Sequence, residues 1–321
     1  MTRVKPKVIV VALGGNALMR ENESGTFEQQ CGHIKGVSRQ IIDLIEKGFK
    51  IVLTHGNGPQ VGASLLRHRL ANGIFPALPL HACNAETQGV IGYMIEQTLQ
   101  DEIDKKRMKM EVTTVLTRVL VDEADPAFKN PSKPVGRVFH EWEEQEWMDT
   151  LVRDSNSFMI KKVSAGNGFR LAVPSPEPIL IVEHKAIESL MQAGFLVIAC
   201  GGGGIPIIEK DGVKVGVNAV IDKDLATERL ATLIGASKLV ILTNIDGVYE
   251  NYGKDDQKLI TNIRLNEFET LGTNMFGEGS MAPKVKAATS FVRNGGEEAI
   301  IAHLDKLSAA VSGQSGTHIL P

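Results

Sequence analysis

The chain has 321 residues, 43% of them hydrophobic, and a formal net charge of −3. That length and apolar content suffice for one large or two medium domains with a substantial core. The weakly acidic balance, with no basic run longer than Lys105-Lys106-Arg107, argues against nucleic acid or an anionic membrane as partner.

The first apolar run, Lys7 to Leu13, is too short for a signal segment or a membrane span. It reads as a strand buried on both faces, ending in Gly14-Gly15-Asn16. The spacing of Ile34, Val37, Ile41, Ile42 and Ile45 predicts a helix from Phe27 to Glu46, stopped by Gly48. Lys50 to Thr54 is the next strand and runs into His55-Gly56-Asn57-Gly58-Pro59; a helix follows over about Val61 to Ala71. Ala82 to Met108 reads as a long helix and Val112 to Val121 as one strand.

The pattern breaks between residues 122 and 178; five of the 13 prolines fall between Pro126 and Pro176, and both tryptophans lie in the same segment. Such a change of composition predicts an inserted, protruding subdomain or lid, and Lys133 lies inside it. Alternation then resumes with a helix over Val182 to Ala193 and a strand over Phe195 to Cys200, followed by the loop Gly201 to Gly204. Asp222-Lys223-Asp224 opens an amphipathic segment that Gly235 stops. Lys238 to Thr243 is a buried-type strand leading into Asn244-Ile245-Asp246-Gly247. Gly277 to Arg293 is a glycine-rich turn and a helix carrying Lys284; Glu298 to His303 is a late strand, and Thr317 to Leu320 is predicted to add a strand at the sheet edge.

Repeated strand, glycine loop and helix predict an α/β sandwich around a mainly parallel sheet, with ligands beyond the carboxyl ends of its strands. Four glycine-bearing loops at such ends point to an anion held by backbone N–H groups. A helix opening with Asp222-Lys223-Asp224 adds fixed charge to a positive dipole end, although these residues serve equally well as a helix cap with a solvated lysine.

Several chemistries are excluded by motif. No GxxxxGK followed by Ser or Thr, no HRD or DFG set, no GxSxG and no HExxH occurs. Gly56-Asn57-Gly58-Pro59-Gln60-Val61-Gly62 imitates a dinucleotide fingerprint, but its third glycine is one place late. The eight histidines show no metal-ligand spacing, and Cys31, Cys83 and Cys200 form no CxxC, as expected of reduced thiols in a cytoplasmic protein.

The stretches ALGGNAL (Ala12 to Leu18), THGNGPQVG (Thr54 to Gly62), NPSKPVG (Asn130 to Gly136), VPSPEP (Val173 to Pro178), CGGGGIP (Cys200 to Pro206), AVIDKDLA (Ala219 to Ala226), TNIDGVY (Thr243 to Tyr249) and GSMAPKVKA (Gly279 to Ala287) span nearly the whole chain. In these the sequence resembles the amino acid kinase family, and within it the carbamate kinases. The resemblance implies a three-layer αβα sandwich with an eight-stranded, mainly parallel sheet and a protruding lid over about residues 122–178. Residues 1–195 would form a carbamoyl-phosphate-binding half and 196–321 a nucleotide-binding half of one domain. It implies reversible phosphoryl transfer between carbamoyl phosphate and ADP, giving ATP and carbamate, at the end of arginine breakdown by the deiminase route. It also implies Mg²⁺ with ATP or ADP, a homodimer and a cytoplasmic location.

The implied site follows the motifs. Lys223 and Lys284 neutralise phosphates, Asp224 fixes both lysines, and Lys133 covers carbamoyl phosphate. Gly14, Gly15, Asn16, Gly56, Asn57 and Gly58 cradle the carbamate and the moving group. Gly203, Asn244, Asp246, Tyr249, Met281 and Lys284 border the nucleotide. Relatives often carry GRGWRRVVPSP where this chain has residues 166–176, GNGFRLAVPSP, so the contacts of that strand differ. Acetylglutamate or aspartate kinases within the family, and a catalytically dead nucleotide-binding scaffold outside it, are the competing readings.

Overall fold

A computed structural model describes residues 7–15, 18–19, 23–140, 143, 158–162, 168–271 and 281–321. Its centre is an eight-stranded sheet. Across the sheet the strands run Asn262–Arg264, Thr317–Leu320, Glu298–His303, Lys238–Thr243, Val8–Leu13, Lys50–His55, Leu196–Ile198 and Val112–Thr114. Every neighbouring pair is parallel except Glu298–His303 with Thr317–Leu320.

The apolar strands serve two cores because successive side chains point to opposite faces. Ile9, Val11 and Leu13 join Ile34, Ile41, Ile91, Ile95 and Leu99 from the helices Phe27–Glu46 and Leu80–Lys105. Val10 and Ala12 face the other way, onto Ile187, Leu230, Ala231, Ala288 and Phe291 from the helices His184–Ala193, Lys223–Leu233 and Met281–Arg293. The result is a three-layer αβα sandwich. Thr26 starts the first of these helices with a reciprocal capping box to Gln29.

Beside a two-stranded pair, Tyr249–Glu250 with Lys258–Leu259, two larger sheets stand off the sandwich among the described residues. One has four strands, and the other pairs Lys133–Phe139 with Phe169–Val173, which pairs in turn with Met159–Lys162. Val61 and Leu65 of the helix Gly58–Leu70 meet Val135, Phe139, Leu171 and Val173 of the three-stranded sheet in a separate apolar cluster.

Two expectations need correction. Val112 to Val121 is not one strand: Val112–Thr114 belongs to the main sheet, and Arg118–Leu120 pairs with Ile205–Ile207 in the four-stranded sheet. Gln88 causes the break, donating to Thr117 O at 3.0 Å and accepting from Thr117 N–H at 2.8 Å, so a side chain replaces the ladder there. Thr317–Leu320 does not close the sheet edge, because Asn262–Arg264, unrecognised in the sequence, pairs with its outer side.

At the amino end of the central strands lies a buried ionic triad. Glu298 accepts from Lys238 and lies 2.6 Å from His318 Nδ1, while the other ring nitrogen meets Ser315 O at 2.9 Å. The Glu298 bond outweighs burial and raises the His318 pKa above its ordinary value. A raised pKa contributes stability that is present below about pH 6.5 and lost as pH rises through the folded-state value. Urea unfolding at about pH 6 and about pH 9 should therefore show the wild-type advantage over His318→Gln shrinking at the higher pH; an advantage that grows with pH would contradict this sign.

Candidate active site

Because the central strands are parallel, the loops after Leu13, His55, Ile198 and Thr243 emerge on one edge of the sheet. A cleft of about 1490 Å³ opens there, between the first three of those loops and the three-stranded sheet. Eight basic side chains and two acidic ones line it among the described residues, so it is built for an anion.

The helix Lys223–Leu233 organises the cleft. Asp222 is its N-cap, with the side chain accepting from Asp224 N–H at 2.9 Å. Capping does not leave Lys223 solvated: its side chain is 11% exposed and donates to Asp224 Oδ1 at 2.5 Å. From the helix Met281–Arg293, Lys284 donates to Asp224 Oδ2 at 3.2 Å. Asp224, 2% exposed, thus divides its two oxygens between two buried ammonium groups. Burial lowers the Lys223 pKa; the Asp224 carboxylate opposes that and the Lys284 charge adds to it.

Lys133 reaches across from the three-stranded sheet and donates to Asp222 Oδ2. Burial works against the Asp222 carboxylate, but the Lys133 charge and hydrogen bond overcome it and hold the pKa near 2. Lys161, Lys162 and Arg170 of the same sheet also line the cleft. No motif marks these three; their signal in the sequence is only that they are basic residues in an inserted segment.

Gly15, Gly56, Asn57 and Gly58 border the cleft with Lys223 and Lys284. A Cβ on Gly56 would come within 3.2 Å of Lys223 Cδ, so this glycine makes room for the lysine stem. Gly14 packs beneath, where a Cβ would approach Leu242 O at 2.8 Å. Asn16 lies outside the described residues. Asn57 lines the cleft, but its amide is engaged with Asn84 Oδ1 and with Thr87 Oγ1 at 2.8 Å. Gly202 has φ +64°, and its Cβ would fall 2.1 Å from Asn57 Nδ2, so only glycine fits beside that network. Thr227 locks the helix to the strand Lys50–His55 through Thr54 Oγ1 at 2.6 Å. His55, buried and with its pKa lowered to about 4 by burial, holds the Gly56 carbonyl at 2.9 Å as a neutral ring. Thr227 and Asn84 carry no sequence motif that singles them out, and His55, although inside THGNGPQVG, is assigned no role by it.

The residues expected to border a nucleotide are more dispersed. Gly203 abuts the backbone before the helix, where a Cβ would lie 2.2 Å from Ile221 O. Asn244 is exposed, Asp246 pairs with Lys306 at 2.8 Å, and the Tyr249 ring is 5.8 Å from that of Tyr252. Met281 rests against the core beneath the Lys284 helix. None of these five is among the described residues lining the cleft, whereas Lys284 is.

A model of the amino acid kinase family matches residues 7–303. The chain belongs to the amino acid kinase family. A carbamate kinase of Pyrococcus horikoshii is 42% identical over 98% of this chain and 100% of its own. One of Clostridium perfringens is 43% identical over 97% and 99%. The structure of a Giardia lamblia carbamate kinase bound to AMP-PNP superposes with a TM-score of 0.90 at 40% identity, covering 98% of this chain and 99% of that one. Within the family the chain falls on the carbamate kinase branch, and it is a phosphotransferase.

In this amino acid kinase two motif-ending glycines meet. A Cβ on Gly62, the last residue of THGNGPQVG, would lie 2.2 Å from the backbone of Gly136, the last residue of NPSKPVG, whose φ is +74°. The strand bearing Lys133 therefore seats directly on the helix that starts at Gly58. Gly62→Ala should destabilise the protein by about 1–3 kcal/mol through overpacking. Thermal or urea unfolding measures this; a loss under about 0.5 kcal/mol would show that the two backbones separate freely.

Proposed function

We propose that the protein transfers a phosphoryl group reversibly between carbamoyl phosphate and ADP, yielding ATP and carbamate. The observation that carries this reading is the buried pair of ammonium groups held on Asp224 in a cleft with a large excess of basic residues. The Giardia relative bound to AMP-PNP supports a nucleotide in the same fold.

Carbamate is already an anion, so the acceptor requires no base. The barrier lies in bringing two anions together and stabilising charge on a loose phosphoryl group. Lys223 and Lys284 supply fixed positive charge without reorganising, because Asp224 has already oriented them. Gly15, Gly56 and the uncapped amino end of the helix at Gly58 offer backbone N–H groups beside them. Lys133, on a lid spanning about residues 122–178, approaches from the opposite wall. Residues 1–195 would hold carbamoyl phosphate and 196–321 the nucleotide.

The two acidic residues of the cleft, Asp222 and Asp224, are both bonded to lysines. That donor set fits a Mg²⁺ carried by the nucleotide phosphates better than one caged by protein. Bound in that way, the ion would neutralise charge on the phosphates.

We further place the reaction in the cytoplasm, at the end of arginine breakdown by the deiminase route; no helix among the described residues is long and apolar enough to cross a membrane. A homodimer is supported by apolar groups left outside: Tyr93 and Val90 of one helix, Phe27 stacked on Tyr93 at 6.2 Å, and Phe75 nearby in sequence to Leu70 and Ile74. Sedimentation as a monomer at micromolar concentration would rule the dimer out.

A coupled luminescence assay with ADP, Mg²⁺ and carbamoyl phosphate should show ATP formation that Asp224→Ala abolishes. No ATP from folded protein would refute the substrate, and acetylglutamate and aspartate with ATP would be tried next. Lys223→Ala and Lys284→Ala should each lower kcat by about 10²–10³; losses below about tenfold in both would remove them from the mechanism. Lys133→Ala should raise KM for carbamoyl phosphate, and a change confined to the KM for ADP would place Lys133 on the wrong substrate.

A further inference from the structure

Away from the cleft, three side chains of metal-ligating type converge without a sequence motif. His68 lies in the last turn of the helix Gly58–Leu70. Cys83 and Glu86 lie one turn apart near the start of the helix Leu80–Lys105. One ligand atom from each falls within 4.8 Å of the others. His68 Nε2 is 3.0 Å from Glu86 Oε1 and 3.1 Å from Oε2. Two ligands at about 2.0–2.1 Å in a tetrahedral zinc site stand about 3.3 Å apart, so this pair already has nearly the required separation.

The surroundings support the geometry. Ser64 Oγ donates to Glu86 Oε2 at 2.5 Å and so helps to orient the carboxylate, as outer partners of metal ligands do. Cys83 is fully buried, and its sulfur lies 3.9 Å from Leu78 O and also meets the Ser64 hydroxyl. Side chains of His68 and Glu86 are 27% and 43% exposed, which leaves an entry path and room for water. Nitrogen, thiolate and carboxylate together suit zinc better than magnesium or calcium. Arg67 and Arg69 flank the cluster and oppose a cation, but one thiolate and one carboxylate balance the charge of a divalent ion.

We propose that His68, Cys83 and Glu86 form a zinc site with three protein ligands and one open position. On binding, the Cys83 thiol proton leaves to solvent, the Zn–S bond forms, and a water completes the tetrahedron. The ion would tie the carboxyl end of one helix to the amino end of the next. It would therefore brace the helix on which Gly62 seats the Lys133 strand.

The test uses the full chain after chelator treatment and exhaustive dialysis. Calorimetric titration with ZnCl₂ should give one equivalent per chain, and Co²⁺ should produce a thiolate-to-cobalt charge-transfer band. Cys83→Ser should abolish the band, and His68→Gln should weaken zinc binding at least about tenfold. His68 is partly exposed, so this second variant remains informative if Cys83→Ser does not fold. Cys31→Ser should leave both signals unchanged. Substoichiometric zinc, a cobalt spectrum with no thiolate band, or full binding in His68→Gln would each overturn the assignment.

Discussion

Everything in the cleft depends on one buried carboxylate. Two ammonium groups from different helices would repel each other in a space with little water, and neither would stay charged there unaided. Asp224 offers each of them one oxygen, so their positions are set before any ligand arrives. Removing that carboxylate would leave two buried like charges without a partner, which costs more than losing an ordinary ion pair. The carboxylate itself is held by its place in the first turn of a helix, two residues after its N-cap.

The sheet makes this arrangement possible. Parallel strands put every loop after a strand on the same edge, and the period-two split of the apolar strands fixes helices on both faces. The Lys223 and Lys284 helices lie in the same layer and share a core that includes Leu230, Ala231, Ala287 and Ala288. Small residues in that core let the two helices approach closely enough for both lysines to reach one aspartate.

Most of the frame was legible. The helix Phe27–Glu46 and the strands Lys238–Thr243 and Glu298–His303 have the bounds that periodicity predicted. Local pattern failed where a distant side chain intervened, as Gln88 does at Thr117. It failed again where an edge was covered by a strand of only three residues, Asn262–Arg264. In the site, Lys133, Lys223, Asp224 and Lys284 were found through motifs and meet in one cleft. Asn57 was expected in the loop that cradles the ligand and it does line the cleft, but the hydrogen bonds of its side chain to Asn84 and Thr87 are a partnership that no spacing announces. The cluster of His68, Cys83 and Glu86 was invisible for the same reason, since only the meeting of two helices creates it.

The bond between Lys133 and Asp222 gives the cleft an internal competitor. An anion that takes Lys133 does not meet a free cation; it must exchange places with a carboxylate already seated. Its gain is therefore the difference between two partners, not the full attraction of one. A dianionic phosphate can win that exchange, whereas a singly charged carboxylate meets its equal. Charge number, more than shape, then becomes the first criterion by which this wall of the cleft sorts what enters.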